Sequence, residues 1–99
     1  MQTLLSLALV FTFLLAPHAS AEDFRVALIL DKGGKDDKSF NAAAFEGANR
    51  AKKELGIQLK YVEAMDDVAI ETTMRSFAQK KFDLILGIGF AMADGVKKV

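Results

Sequence analysis

The chain has no cysteine and a single histidine in 99 residues. Without cysteine there is no disulfide scaffold, no thiolate zinc site and no cysteine nucleophile. The histidine, His18, sits inside an apolar N-terminal segment, so the rest of the chain has nothing with which to build His-based catalysis or a His–metal cluster. Net charge is missing as well. Thirteen Lys and Arg balance thirteen Asp and Glu, which removes the broad basic footprint of a nucleic-acid binder. Charge is also absent from the first 21 residues, and all of it falls in the 78 that follow. The length is under one typical domain, which excludes a multidomain machine.

The uncharged start reads as an export signal. Leu4 to Leu15 is an apolar run broken only by Ser6 and Thr12. As a helix it would rise about 18 Å, short of a hydrocarbon core of about 30 Å. Pro17 ends the run, and Ala19-Ser20-Ala21 supplies the small-x-small pattern of a cleavage site before Glu22. No Lys or Arg precedes the run, so the terminal amine alone supplies positive charge; a buried helix or a membrane anchor is the competing reading. Residues 1–21 are expected to be a signal peptide and 22–99 the exported part, periplasmic or associated with the cell envelope. The lack of a cysteine at the cleavage point argues against a lipid anchor.

After residue 22 strand and helix patterns alternate. Phe24 to Leu30 is a near-continuous apolar run of strand length. The polar, glycine-containing stretch 31–38 reads as a loop. A helix is predicted from near Ser39, with Phe40, Ala44, Gly47, Ala51 and Leu55 on one narrow face of mostly small residues. Lys52 and Lys53 suit its last turn and Gly56 its stop. Ile57 to Ala64 reads as a second strand. Asp66 or Asp67 can cap a second helix whose apolar stripe is Ile70, Met74 and Phe77. Leu84 to Ile88 reads as a third strand, and Phe90 to Val99 as the start of a helix weakened by Gly95. This order predicts an α/β fold with a parallel sheet and right-handed crossovers. Functional groups should gather at the carboxyl ends of the strands: 31–39, 64–67 and 87–92.

Several motif readings fail on their own terms. A phosphate loop ending in Ser39 needs glycines at 32 and 37, where the chain has Lys32 and Asp37. Gly87-Ile88-Gly89-Phe90-Ala91-Met92 resembles a dinucleotide fingerprint, but Met92 replaces the third glycine and the acidic partner would fall beyond residue 99. Small residues for close helix–strand packing explain it better. A Mg2+ site on Asp31, Asp36 and Asp37 lacks a carboxylate at the end of the third strand. The alternating carboxylates of a calcium loop are absent.

A neutral polar ligand fits the loops better. A carboxylate at a strand end accepts hydrogen bonds from hydroxyl or ring N–H groups. Phe40 can offer a flat face to a nucleobase, and Asn41 can both donate and accept at a purine edge. The competing reading places Phe40 in the core stripe and leaves Asp36 or Asp37 as a helix cap.

The run Val26-Ala-Leu-Ile-Leu-Asp-Lys-Gly-Gly-Lys-Asp-Asp-Lys-Ser-Phe-Asn41, followed by Phe45-Glu46-Gly47, resembles the opening of the basic membrane protein family, the purine nucleoside receptor-like solute-binding proteins of ABC importers. Asp83-Leu-Ile-Leu-Gly-Ile-Gly-Phe-Ala-Met-Ala-Asp94 resembles a second segment of that family, so the similarity spans residues 24 to 99. The resemblance implies a Rossmann-like part of the first lobe of a periplasmic-binding-protein fold. Phe40 would stack on the base and Asn41 would bond its edge. Asp31 and Asp37 would be further polar contacts, with Gly89 and Phe90 at the cleft. The expected partners are a nucleoside and an ABC permease. No nucleic acid, metal, cofactor or catalytic residue is implied. Family members carry a complete first lobe and a whole second lobe with its aromatic partner and sugar-binding carboxylates. The chain is therefore expected to be a truncated piece, 22–99 being a partial N-terminal lobe. The alternative is a small exported α/β interaction module that self-associates through open sheet edges.

Overall fold

The computed structural model describes residues 23–99; the expected leader, 1–21, lies outside them. Three strands, β1 (Arg25–Leu30), β2 (Gln58–Glu63) and β3 (Leu84–Gly87), form one parallel sheet in the order β2-β1-β3. Helix α1 (Phe40–Leu55) links β1 to β2, and α2 (Asp67–Gln79) links β2 to β3. A 3-10 turn at Phe90–Met92 leads into the short helix α3 (Ala93–Lys98). The alternating pattern read from the sequence is the order observed. No described helix is long and apolar enough to cross a membrane.

β1 is central because its neighbours pair on both edges and it carries the most continuous apolar run. Val26 to Leu30 are all buried. β2 alternates instead: Val62 packs against the core, while Tyr61 turns to α1 and meets Phe45 edge-on, with ring centroids 4.7 Å apart. The main core lies between the sheet and α2. Ile70, Met74 and Phe77 project from α2 onto Ala27 and Ile29, with Ala64 and Met92 closing the ends. Phe82 packs edge-on against Phe77, and the Arg25 guanidinium lies 4.1 Å above the Phe82 ring while donating to the Lys80 carbonyl.

The helix boundaries follow from local chemistry. Asp66 caps α2, its carboxylate accepting from the Ala69 N–H at 2.8 Å. Gly56 ends α1 in the left-handed region, φ 73°, and donates to the Lys52 carbonyl. A side chain there would meet its own carbonyl, which is why glycine favours this position. Gly95, read from the sequence as a weak point in the last helix, has a packing role. A Cβ added there would sit 2.8 Å from Ile70 Cγ2, so its absence lets α3 lie against α2.

Candidate functional site

The loop from Asp31 to Ser39 is held at the carboxyl edge by its own carboxylates. The Gly34 N–H donates to the Asp31 carbonyl at 3.0 Å, closing a turn. The Gly33 N–H donates to Asp31 Oδ1 at 2.9 Å. The Lys35 N–H donates to Glu63 Oε1 at 3.1 Å, tying the loop to the end of β2.

α1 is capped from outside. Ser39 occupies the first capping position, but its side chain makes no cap bond. Asp37 does that work: Oδ1 accepts from the N–H groups of Ser39 and Ala42, and Oδ2 from that of Asn41, all at 2.9 Å. The Ala42 and Ser39 amides, with smaller help from Asn41, hold the Asp37 carboxyl below its ordinary value of 3.8. Both carboxylate oxygens of Asp37 are thus engaged in starting the helix.

Asn41 follows the cap and points inward. It is 2% exposed, the one buried polar side chain among the described residues. Its Nδ2 donates to Asp31 Oδ1 at 2.6 Å, while its Oδ1 has no partner in the described structure. A buried acceptor without a donor costs about 1–3 kcal/mol, so the bond to Asp31 has to justify an expensive position.

Phe40 lies outward, 64% exposed. The reading that put it in a core stripe is overturned: at the start of α1 it is Asn41, not Phe40, that is buried, and Phe40 is left to line the carboxyl edge. Gly89 ends the loop after β3 with φ 98°, a backbone conformation that disfavours any side chain. Phe90 follows at 99% exposure. Asp31, Phe40, Gly89, Phe90 and Ala91 line one open cavity of about 310 Å3. Four of the six residues expected at the site thus come together, drawn from two loops that parallel pairing sets side by side. Asn41 sits beneath them and Asp37 at the helix start. A smaller cavity, about 180 Å3, lies alongside, where Asp31 and Lys32 meet Met65, Asp66 and Asp67 from the loop after β2. Met65 is exposed and apolar; its place beside this edge was not singled out from the sequence. No group of three or more acidic or histidine side chains that would hold a metal occurs among the described residues.

This edge has aromatic faces and a carboxylate at the ends of parallel strands, the place where ligands gather in open α/β sheets. Comparison with known proteins agrees. Residues 24–99 match the model of the Bmp family, described as ABC transporter substrate-binding protein PnrA-like. The chain belongs to this family. It is 36% identical over 80 residues to an uncharacterized lipoprotein of Pyrococcus abyssi, covering 80% of this chain and 20% of that one. It is 32% identical over 76 residues to a protein of Lactococcus lactis named ABC transporter nucleoside-binding protein BmpA, covering 73% and 22%. A solved solute-binding protein of an ABC transporter system from Conexibacter woesei superposes with a TM-score of 0.66 at 30% identity, covering 75% of this chain and 25% of the other. The chain thus spans about a fifth to a quarter of the length of these relatives. The lipoprotein name fits an envelope location and lends no support to the expectation of an unanchored chain.

Proposed function

We propose that residues 22–99 form part of the first lobe of a nucleoside receptor serving an ABC permease, with residues 1–21 as its export signal. The observation that carries this reading is the pairing of two exposed phenylalanines, Phe40 and Phe90, with Asp31 around one cavity at the strand ends. A flat ring is the ligand part that such faces recognise. A carboxylate beside them accepts from a ring N–H or a sugar hydroxyl. The relative named as nucleoside-binding supports the same class of ligand. In this reading the chain supplies one wall of the site, and a second lobe supplies the other.

Stacking on one aromatic is worth about 1–3 kcal/mol, which is roughly 5- to 150-fold in affinity. Inosine titrated into the full chain should therefore bind weakly, with a loss in that range for Phe40→Ala. An unchanged dissociation constant in that variant would remove the stacking assignment.

A second reading rests on a different observation. An apolar groove of about 440 Å3 opens between α1 and β3, where Leu84 and Leu86 are 42% and 37% exposed. This favours a self-associating interaction module. Sedimentation of the full chain separates the two: a ligand-independent oligomer supports the module, and a monomer dismisses it.

A further inference from the structure

We propose that Glu63 is a positioning residue: it latches the tip of the 31–39 loop to the β2 side of the central strand and so keeps the mouth of the cavity between Phe40 and Phe90 clear. The inference rests on the ligand reading above and goes beyond it, because Glu63 does not line that cavity. The sheet order sets the geometry. β1 lies between β2 and β3. Glu63 ends β2 and pairs with Leu30, so it stands beside the point where the loop leaves β1. The cavity opens on the opposite flank, where Gly89, Phe90 and Ala91 follow β3.

The loop body is curled by bonds within itself. The Gly34 N–H donates to the Asp31 carbonyl at 3.0 Å, and the Asp37 N–H to the Gly34 carbonyl at 3.3 Å. Such bonds shape the loop but do not decide on which side of β1 it lies. The Lys35 N–H decides it, by donating to Glu63 Oε1 at 3.1 Å. A second contact reinforces the first. Gly34 is buried although it lies in a polar loop. A Cβ added there would meet Glu63 Cδ at 3.0 Å and both carboxylate oxygens at 3.1 Å. The carboxylate thus lies flat against the glycine, in space that any side chain would take. Adjacent strands are about 4.8 Å apart. A tip released from Glu63 therefore has one strand to cross before Lys35 and Asp36 stand over Gly89 and Phe90. The latch needs an acceptor and not a charge, because a carboxamide oxygen also accepts from an N–H.

The test combines two NMR measurements on the full chain. Without nucleoside, the Lys35 backbone amide should exchange slowly with solvent in the wild type and in Glu63→Gln, and rapidly in Glu63→Ala. Glu63 is exposed, so the amides of β1 should stay protected in both variants. A Lys35 amide indifferent to Glu63→Ala would overturn the proposal. With inosine as the probe, line shapes separate association from dissociation. A latch acts on the fraction of chains that can bind, so Glu63→Ala should lower the association rate about threefold or more and leave dissociation unchanged. Glu63→Gln should restore the wild-type rate. A faster dissociation would mean that Glu63 touches the ligand itself, and an equal loss in Glu63→Gln would mean that its charge acts instead; either would overturn the proposal. An unchanged association rate in Glu63→Ala, with the Lys35 amide released, would overturn it as well. If inosine moves no resonance at Phe40 or Phe90 in the wild type, the nucleoside reading fails, and the Lys35 amide alone judges the latch.

Discussion

The two faces of the sheet are built differently. On the α2 face, Ile70, Met74 and Phe77 fill the space above Ala27 and Ile29, and α3 closes the end. On the α1 face, Ala44, Gly47, Ala48 and Ala51 stand over Val26 and Leu28 but leave a groove, with β3 lying bare beside it. Side-chain size explains the difference. Large residues at helical spacing make α2 a lid, whereas small ones make α1 a shallow wall that cannot reach across to β3. One face is therefore filled, and the other buries Val26 and Leu28 but leaves Leu84 and Leu86 on β3 partly bare. The candidate ligand edge is attached to both, since Asp31 extends the central strand while Phe40 starts α1.

The contrast is most sharply broken at Met74. Truncation to Ala in a filled core costs about 2–5 kcal/mol. A core from fewer than 80 residues rarely supplies more than about 3–5 kcal/mol. Met74→Ala should thus leave the chain largely unfolded by circular dichroism and urea titration. A variant with an unchanged urea midpoint would mean that the α2 face is not the core.

The same substitution should have opposite signs on the two faces. A Cβ at Gly95 would sit 2.8 Å from Ile70 Cγ2 and 3.1 Å from Met74 Sδ. Gly95→Ala should destabilise by about 1–3 kcal/mol, the range for overpacking. A Cβ at Gly47 meets nothing within 4 Å. Gly47→Ala should gain about 0.5–1 kcal/mol from helix propensity alone. Paired urea midpoints that move in the same direction would contradict the assignment of closed and open faces.

Acid should act through the α1 cap. The Asp37 carboxyl is held below its ordinary value by the amides it caps, so the unfolded chain takes up its proton at a higher pH than the folded one does. Its stabilisation is present above the ordinary aspartate range and is lost as pH falls through the depressed folded value. Glu71, lowered chiefly by its hydrogen bond from Arg75, adds a loss of the same sign. Asp37→Asn should flatten the acid limb of the stability profile; an unchanged limb would mean that the cap carries no pH dependence. The smallest effect is expected at Leu84, exposed on the open face. Leu84→Gln should shift stability by no more than about 0.5 kcal/mol, and a larger loss would show that the groove is closed in solution.

Much of this was readable in the amino-acid sequence because it depends on periodicity. The Ile70, Met74, Phe77 stripe, the Asp66 cap and the unbroken β1 run are local patterns, and each appears where its spacing put it. The clustering of Asp31, Phe40, Gly89 and Phe90 was legible from topology, since parallel strands bring their carboxyl ends to one edge. Three features were not. Phe40 fits a core stripe by spacing, and only the placement of α1 relative to the sheet edge exposes it. Asn41 reads as a ligand contact because its amide can both donate and accept at a purine edge; its burial has no local signal and goes with the bond to Asp31, ten residues away. Gly95 reads as a helix breaker, and its value depends on Ile70 across the α2–α3 contact. In each case the deciding neighbour is non-local.

The most direct test of the account is an inosine titration of the 15N-labelled full chain, followed residue by residue. The account predicts saturable shifts at Phe40, Gly89 and Phe90 on the carboxyl edge, with Leu84 and Leu86 in the apolar groove unmoved. Shifts centred on the groove, or none at the edge at millimolar inosine, would contradict it.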